Sequence, residues 1–224
     1  MMKTEKAILA VETALGNAVA LKICDKVHLC KDKSDVATRK SGVILKVDSI
    51  LKEHAVRIED LCAIGVNTGP GSFTGIRIGI ALVKGLARPF DIPIVPVNSF
   101  QAISHQLGLN RDHFIIINAG GGFLYAQALS DSYKNDSLSP AMLIHLDNLE
   151  ENLPENVTVI LYGDKLEKVS EKLKNVSPSR TVIESSSPIV DSISLLTEKA
   201  VQTGYLGSFR DIRPLYIKPS YADI

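Results

Sequence analysis

Apolar positions in this chain follow two rhythms, and their alternation predicts a mixed α/β protein. Ala7 to Val11 and Asn17 to Cys24 are short, nearly continuous apolar runs on either side of Ala14-Leu15-Gly16, which predicts a hairpin. Val27 to Cys30 predicts a short third strand. From Ser34 to Val56 the rhythm becomes helical: Val43, Ile44, Val47, Ile50 and Leu51 recur with Lys40, Lys46, Asp48 and Lys52 between them. Ser34 or Asp35 would cap its start. Leu61 to Val66 reads as a buried strand, followed by a glycine-rich turn and an apolar helix, Ile76 to Ala87, closed by Arg88-Pro89. Ile94 to Val97 predicts a strand and Asn98 to Leu107 a helix. Three strands, then helix, strand, helix, strand and helix, is a mixed α/β layer pattern.

The second half is more polar. Ala141 to Leu146, Val157 to Tyr162 and Thr181 to Glu184 predict strands. Asp164 to Lys174 predicts a helix with Leu166, Val169 and Leu173 on one face. Val190 to Thr203 predicts a last helix with Ile193, Leu196 and Ala200 inward, and the tail after Gly207 reads as extended. An internal repeat joins the halves. The run from His113 to Leu129 can be laid without a gap on Ala7 to Ile23, so that Glu12 meets Asn118 and Gly16 meets Gly122.

The helix after the glycine turn carries two apolar stripes. At roughly 100° per residue, Ile76, Ile80, Val83 and Ala87 fall on one, and Ile78, Leu82 and Leu86 on a nearly opposite one. Arg77, Lys84 and Arg88 share a basic edge between them. A helix on the outside of a sheet needs one apolar stripe. The second is either buried in this chain or covered by a partner. If a partner covers it, the surface comprises Val43, Val47 and Ile50 of the first helix with Ile76, Arg77, Ile78, Ile80, Leu82 and Val83 of this one.

In the turn itself, Gly69, Gly71 and Gly75 widen the backbone's choices, and Ser72 or Thr74 stands where an N-cap would. A strand-to-helix turn of this kind suits an anion, which makes Gly69, Gly71, Ser72 and Thr74 weak phosphate candidates. The P-loop is excluded, because Gly75 is followed by Ile76-Arg77 and not by Lys-Ser/Thr. The dinucleotide fingerprint is excluded too, since Asp91, its acidic partner by position, precedes a strand instead of ending one. The competing reading is that the glycines only permit a tight turn and close helix packing.

The string Gly69-Pro70-Gly71-Ser72-Phe73-Thr74-Gly75-Ile76-Arg77-Ile78-Gly79 resembles the signature of the bacterial TsaB (YeaZ) family of tRNA threonylcarbamoyladenosine biosynthesis proteins, relatives of TsaD. The resemblance runs from Ile8-Leu9-Ala10-Val11-Glu12-Thr13 to Arg213-Pro214-Leu215-Tyr216-Ile217-Lys218. It implies an actin-like (ribonuclease-H-like, ASKHA) two-lobed α/β fold with duplicated mixed-sheet units, the lobes being 1–108 and a degenerate 109–224. It further implies a non-catalytic scaffold or dimerisation subunit that supports a TsaD-like threonylcarbamoyl transferase, with no cofactor of its own. A TsaE-like ATPase would be a further partner and a homodimer the form taken alone. ATP or ADP would sit at the interface of the complex, and tRNA would be met only through it. The rivals are a small-molecule kinase or ATPase of the same fold and a metallopeptidase.

Departures from the family pattern weigh on those rivals. Actin-like ATPases place an aspartate after the first strand of each hairpin to hold hydrated magnesium. Glu12 and Asn118 stand there instead, and Asn118 brings no charge to a cation. The family's Asp-Ala-Arg-x-x-Glu-Val-Tyr is replaced by Asn118-Ala119-Gly120-Gly121-Gly122-Phe123-Leu124-Tyr125. The histidines, His28, His54, His105, His113 and His145, include no pair at metal-ligand spacing and read as surface or helix-end residues. Ser72 lacks the second glycine of a nucleophile elbow.

Charge and cysteine content change the picture only slightly. Lys plus Arg and Asp plus Glu both number 25, so nothing draws the chain alone to nucleic acid. Cys24, Cys30 and Cys62 form no Cys-x-x-Cys and fit reduced thiols in a cytoplasmic protein. Glu12 interrupts the N-terminal apolar run early, as in a first strand and not a signal peptide, and no run is long enough to span a bilayer.

Overall fold

The structure, a computed structural model, describes residues 7–30, 42–109, 111–129, 139–154, 157–176, 180–206 and 212–217. These fall into two compact units, one within Met1–Ala102 and Pro188–Leu215, the other within Ile103–Ser187 and Tyr216–Ile224.

In the first unit, β1 (Ala7–Glu12), β2 (Ala18–Ile23), β3 (Lys26–Leu29), β4 (Leu61–Asn67) and β5 (Ile94–Val97) form one sheet in the order β3-β2-β1-β4-β5. The hairpin strands are antiparallel, and β4 and β5 join in parallel through helical crossovers. Those crossovers are α1 (Val43–Glu53), over β2, and α2 (Phe73–Ala87), over β4. One sheet face supplies Leu9, Val11, Leu21, Ile64, Val66 and Ile94, and the helices answer with Val47, Ile50, Ile76, Ile80 and Val83 in a common core. Alternation along the strands sends Lys22 to the other face, where its ammonium donates to Glu198 Oε1 at 2.7 Å and also to Cys24 O. α1 begins at Val43 after Gly42, which makes no side-chain cap. The expected caps Ser34 and Asp35 lie outside the described residues.

The second unit repeats this order. β6 (His113–Gly120), β7 (Phe123–Leu129), β8 (Met142–His145), β9 (Thr158–Tyr162) and β10 (Val182–Ser185) are arranged β8-β7-β6-β9-β10. The gap-free repeat seen in the sequence holds residue for residue in the pairing. Ala7 faces Ile23 as His113 faces Leu129, and Glu12 faces Ala18 as Asn118 faces Leu124. α4 (Glu167–Val176), with Leu166 just before it, packs Val169 and Leu173 against Phe114, Ile116, Val159 and Leu161. Where the first unit has α1, the second has two short 3-10 turns, Leu146–Asn148 and Glu150–Asn152.

α3 (Ser99–Leu107) is divided between the units after Ala102. α5 (Val190–Thr203) lies on the first unit's sheet, against β1, β4 and β2, with Ile193 fully buried and Glu198 anchoring Lys22. An amphipathic stripe specifies that a helix must cover a sheet, not which sheet. Among the described residues no helix is long and apolar enough to cross a membrane. The duplicated mixed sheet of five strands is the actin-like, ribonuclease-H-like (ASKHA) fold.

Candidate functional site

The first hairpin turn is organised by Glu12. Its side chain is only 3% exposed, and Oε1 accepts from Ala14 N at 2.7 Å, Leu15 N at 2.8 Å and Asn67 Nδ2 at 3.2 Å. Burial pushes the carboxyl above its ordinary range, against the opposing pull of the Leu15 and Ala14 amides and the Asn67 side chain. Asn67, at the end of β4, turns its Oδ1 to Gly69 N at 2.9 Å. Ser99 completes the group, its hydroxyl donating to Pro70 O at 2.7 Å and its N–H to Gly69 O at 2.8 Å. The position compared with a magnesium aspartate is thus occupied by an acid that braces its own turn.

Asn118 does the same at the matching place in the second unit. Its Oδ1 accepts from Gly120 N at 2.8 Å, and its Nδ2 donates to Asp164 O and Lys165 O at 3.3 and 3.4 Å. A neutral amide suits this turn because it both accepts and donates, which a carboxylate does not.

The glycine stretch is packed against the first hairpin. Ser72 is the N-cap of α2, accepting from Gly75 N at 3.2 Å, while Ser72 N donates to Ala14 O at 2.7 Å. Thr74, the other cap candidate, is an exposed residue of the first helical turn. A Cβ on Gly71 would strike Ala14 O, and one on Gly75 would strike Thr13 O. Thr13 Oγ1 donates to Gly75 O at 2.7 Å, closing the contact. Of the anion candidates, Gly69 is adjacent to the Leu215 carbonyl and Gly71 to the Ala14 carbonyl, so negative dipole ends stand where an anion would need donors. The close-packing reading of the glycines is the one this geometry fits.

The nine residues expected at a partner surface divide by burial. Val43, Val47, Ile50, Ile76, Ile80 and Val83 are core residues of the first unit, which corrects their assignment to an interface. They form the inner stripes of α1 and α2, and the sheet already covers them. Arg77 and Ile78 face outward and Leu82 is half-buried, with Ile78 51% exposed. The Arg77 guanidinium lies over the Phe73 ring, 3.8 Å from its centroid. On α1 the exposed apolar residues are Ile44 and Leu45, at 58% and 59%. Ile44 was counted with the apolar stripe of this helix and Leu45 was not, although Leu45 falls opposite the inner stripe on a helical wheel.

The histidines need one correction. His113 is not a surface residue: it is fully buried at the start of β6, with Nδ1 2.7 Å from Arg111 O. His28 and His54 meet with ring centroids 4.0 Å apart, a contact across 26 positions that no local spacing announces. Among the described residues no three His, Cys, Asp or Glu gather as a metal group.

The family model described as TsaD, tRNA N6-adenosine threonylcarbamoyltransferase, matches residues 36–192. A tRNA threonylcarbamoyladenosine biosynthesis protein TsaB of Bacillus subtilis (strain 168) is 34% identical over 128 residues, 56% of this chain and 49% of that protein. The protein of the same description from Haemophilus influenzae is 31% identical over 67 residues, 30% of this chain and 28% of its own length. The match therefore spans less than half of either curated relative. The solved structure of YeaZ from Pseudomonas aeruginosa superposes with a TM-score of 0.72 at 20% identity, covering 94% of this chain and 99% of that one, which shows a shared fold. With the family model matched over most of its length, the chain belongs to the TsaD family and, within it, is of the TsaB/YeaZ type.

Proposed function

We propose that this chain is a non-catalytic subunit in tRNA threonylcarbamoyladenosine biosynthesis. It binds and supports a TsaD-like threonylcarbamoyl transferase through the outer faces of α1 and α2. The observation that carries this reading is the second apolar surface on helices whose inner stripes already serve the core. Ile78, Ile44 and Leu45 are each more than half exposed on otherwise well-packed helices, as an association surface requires. The commitment of Glu12 and Asn118 to their own turns supports a supporting role over phosphoryl transfer. A TsaE-like ATPase as a further partner, self-association of the chain when alone, and a cytoplasmic setting belong to the same proposal.

The test is a titration of the purified chain with the TsaD-type subunit from the same cell. Wild type should bind, and Ile78→Glu and Leu45→Glu should keep their fold and lose the partner, because the new charge is desolvated only on association. Binding undiminished in both variants would overturn the assignment of this surface.

A further inference from the structure

We infer that His28 and His54 form a binding site for a first-row transition ion such as zinc or nickel, which fastens the edge strand β3 to the end of α1. The inference does not depend on the partner reading above.

The fold, and not local sequence, brings the two side chains together. β3 is the outer strand of the first sheet, and its His28 lies opposite Leu21 of β2. Paired residues of neighbouring strands point to the same face. Leu21 is a core residue beneath α1, so His28 stands on the face that α1 covers. His54 is the C-cap of α1. The helix end there is closed by two bonds, Ala55 N to Lys52 O at 3.2 Å and Val56 N to Leu51 O at 3.0 Å, with Ala55 left-handed at φ 52°. This is a Schellman end, and it fixes where His54 leaves the helix. The two imidazoles meet with centroids 4.0 Å apart and planes inclined by 48°. Both residues are half-buried, and among the described residues neither ring has a hydrogen-bond partner.

Packing alone is a poor reason for such a pair, since half-burying two polar rings without hydrogen bonds costs free energy that two phenyl rings would not. Imidazole nitrogens suit zinc, nickel and copper, whereas calcium and magnesium take oxygen donors. An ion with bonds of about 2.0–2.1 Å to nitrogen holds its two donors about 3 Å apart. Rings already in contact reach that spacing by turning about Cβ–Cγ, a soft torsion in histidine. Both backbones are held in place beforehand, one in a strand pairing and one in a closed helix end, so little ordering is left for the ion to impose. Two protein donors leave the rest of the shell to water, so the ion is exchangeable, unlike a structural zinc with four protein ligands. Lys26, two residues before His28 on the same side of β3, is exposed, and its ammonium turns into water away from the ion.

The full chain, free of any histidine tag and of chelator, is melted alone and with ZnCl2, NiCl2 or MgCl2. Zinc and nickel are each expected to raise the thermal midpoint by at least about 2 °C at about tenfold excess over their Kd. Magnesium is expected to leave it unchanged. His28→Gln and His54→Gln should each abolish the rise, while His145→Gln and Cys24→Ser keep it. Where a variant folds poorly, the ring NMR signals of the wild type decide: zinc should shift those of His28 and His54 together and leave the other histidines as they were. The site is overturned by no rise with either ion, by a rise that survives both His28→Gln and His54→Gln, or by an equal rise with magnesium. Zinc shifts centred on other histidines overturn it as well, leaving the pair a packing contact and the ion an adventitious one.

Discussion

The Asn67 side-chain amide donates to Glu12 Oε1 across 3.2 Å, tying the end of β4 to the turn between β1 and β2. Both residues are buried, so neither has water as a substitute partner. The bond makes the glycine turn and the hairpin turn a single braced unit.

Removing the acceptor should therefore be costly. Glu12→Ala leaves the Ala14 and Leu15 amides and the Asn67 side chain without their shared partner. An unsatisfied buried donor costs about 1–3 kcal/mol, so a loss of at least about 2 kcal/mol is expected by urea unfolding. A variant as stable as wild type would mean that water reaches the turn.

Glu12 also sets a pH dependence with a definite sign. Its folded-state pKa is raised from 4.5 by burial, so the folded chain holds this proton more tightly than the unfolded chain does. The stability linked to it is fully present below about 4.5 and is lost as pH rises through the raised value. Glu12→Gln cannot titrate, so its stability relative to wild type should improve as pH climbs through that window. Parallel stability curves for the two proteins would contradict the shift.

Gly71→Val drives a branched side chain into the Ala14 carbonyl. Overpacking of this kind costs on the order of 1–3 kcal/mol. The thermal unfolding midpoint reads it directly, and an unchanged midpoint would make the glycine incidental.

The two stripes of α2 should answer differently to the same substitution. Ile80→Glu buries a charge in the core of the first unit and should unfold it or lower its melting temperature sharply. Ile78→Glu, on the exposed stripe, should stay within about 0.5 kcal/mol of wild type. Similar melting temperatures for the pair would mean that the burial of the helix has been assigned to the wrong side.

The isolated chain should turn over neither ATP nor peptide substrates. Robust ATP hydrolysis that disappears in Glu12→Ala would restore the kinase reading, since that variant removes the one acid at a magnesium-aspartate position.

The sequence made the strands and the gap-free correspondence of the two hairpins legible, because buried strands write their alternation and turns directly into residue type. The two stripes of α2 were legible for the same reason, but not which of them faces inward. Val43, Val47, Ile50, Ile76, Ile80 and Val83 were misassigned because a helical stripe fixes a direction without saying whether a sheet or a partner lies there. Exposed Leu45 was the outward signal. The role of Glu12 was missed because it depends on Asn67, 55 positions away, and Ser99 lies 32 positions beyond that. Such polar groups converge only once the sheet has formed. His113 was misread since burial of a lone polar residue at a strand start leaves no pattern.

The first unit also depends on the far end of the chain. Its sheet is covered on one face by α5, and its core takes in Ile212, so its parts are separated by Ile103–Ser187 of the second unit. During synthesis, the β1–β2 hairpin must wait for α5, made after β6 to β10, before both faces of its sheet are shielded. Until then Ile8, Ala20 and Ala63, which are buried in the finished protein, remain open to other chains. The second unit is contiguous from Ile103 to Ser187 apart from the short C-terminal segment and has no such delay. Domains that complete themselves early in translation escape this exposure. Here the nascent chain carries an uncovered sheet face from the making of β5 until α5 emerges, and that is where a chaperone would find its work.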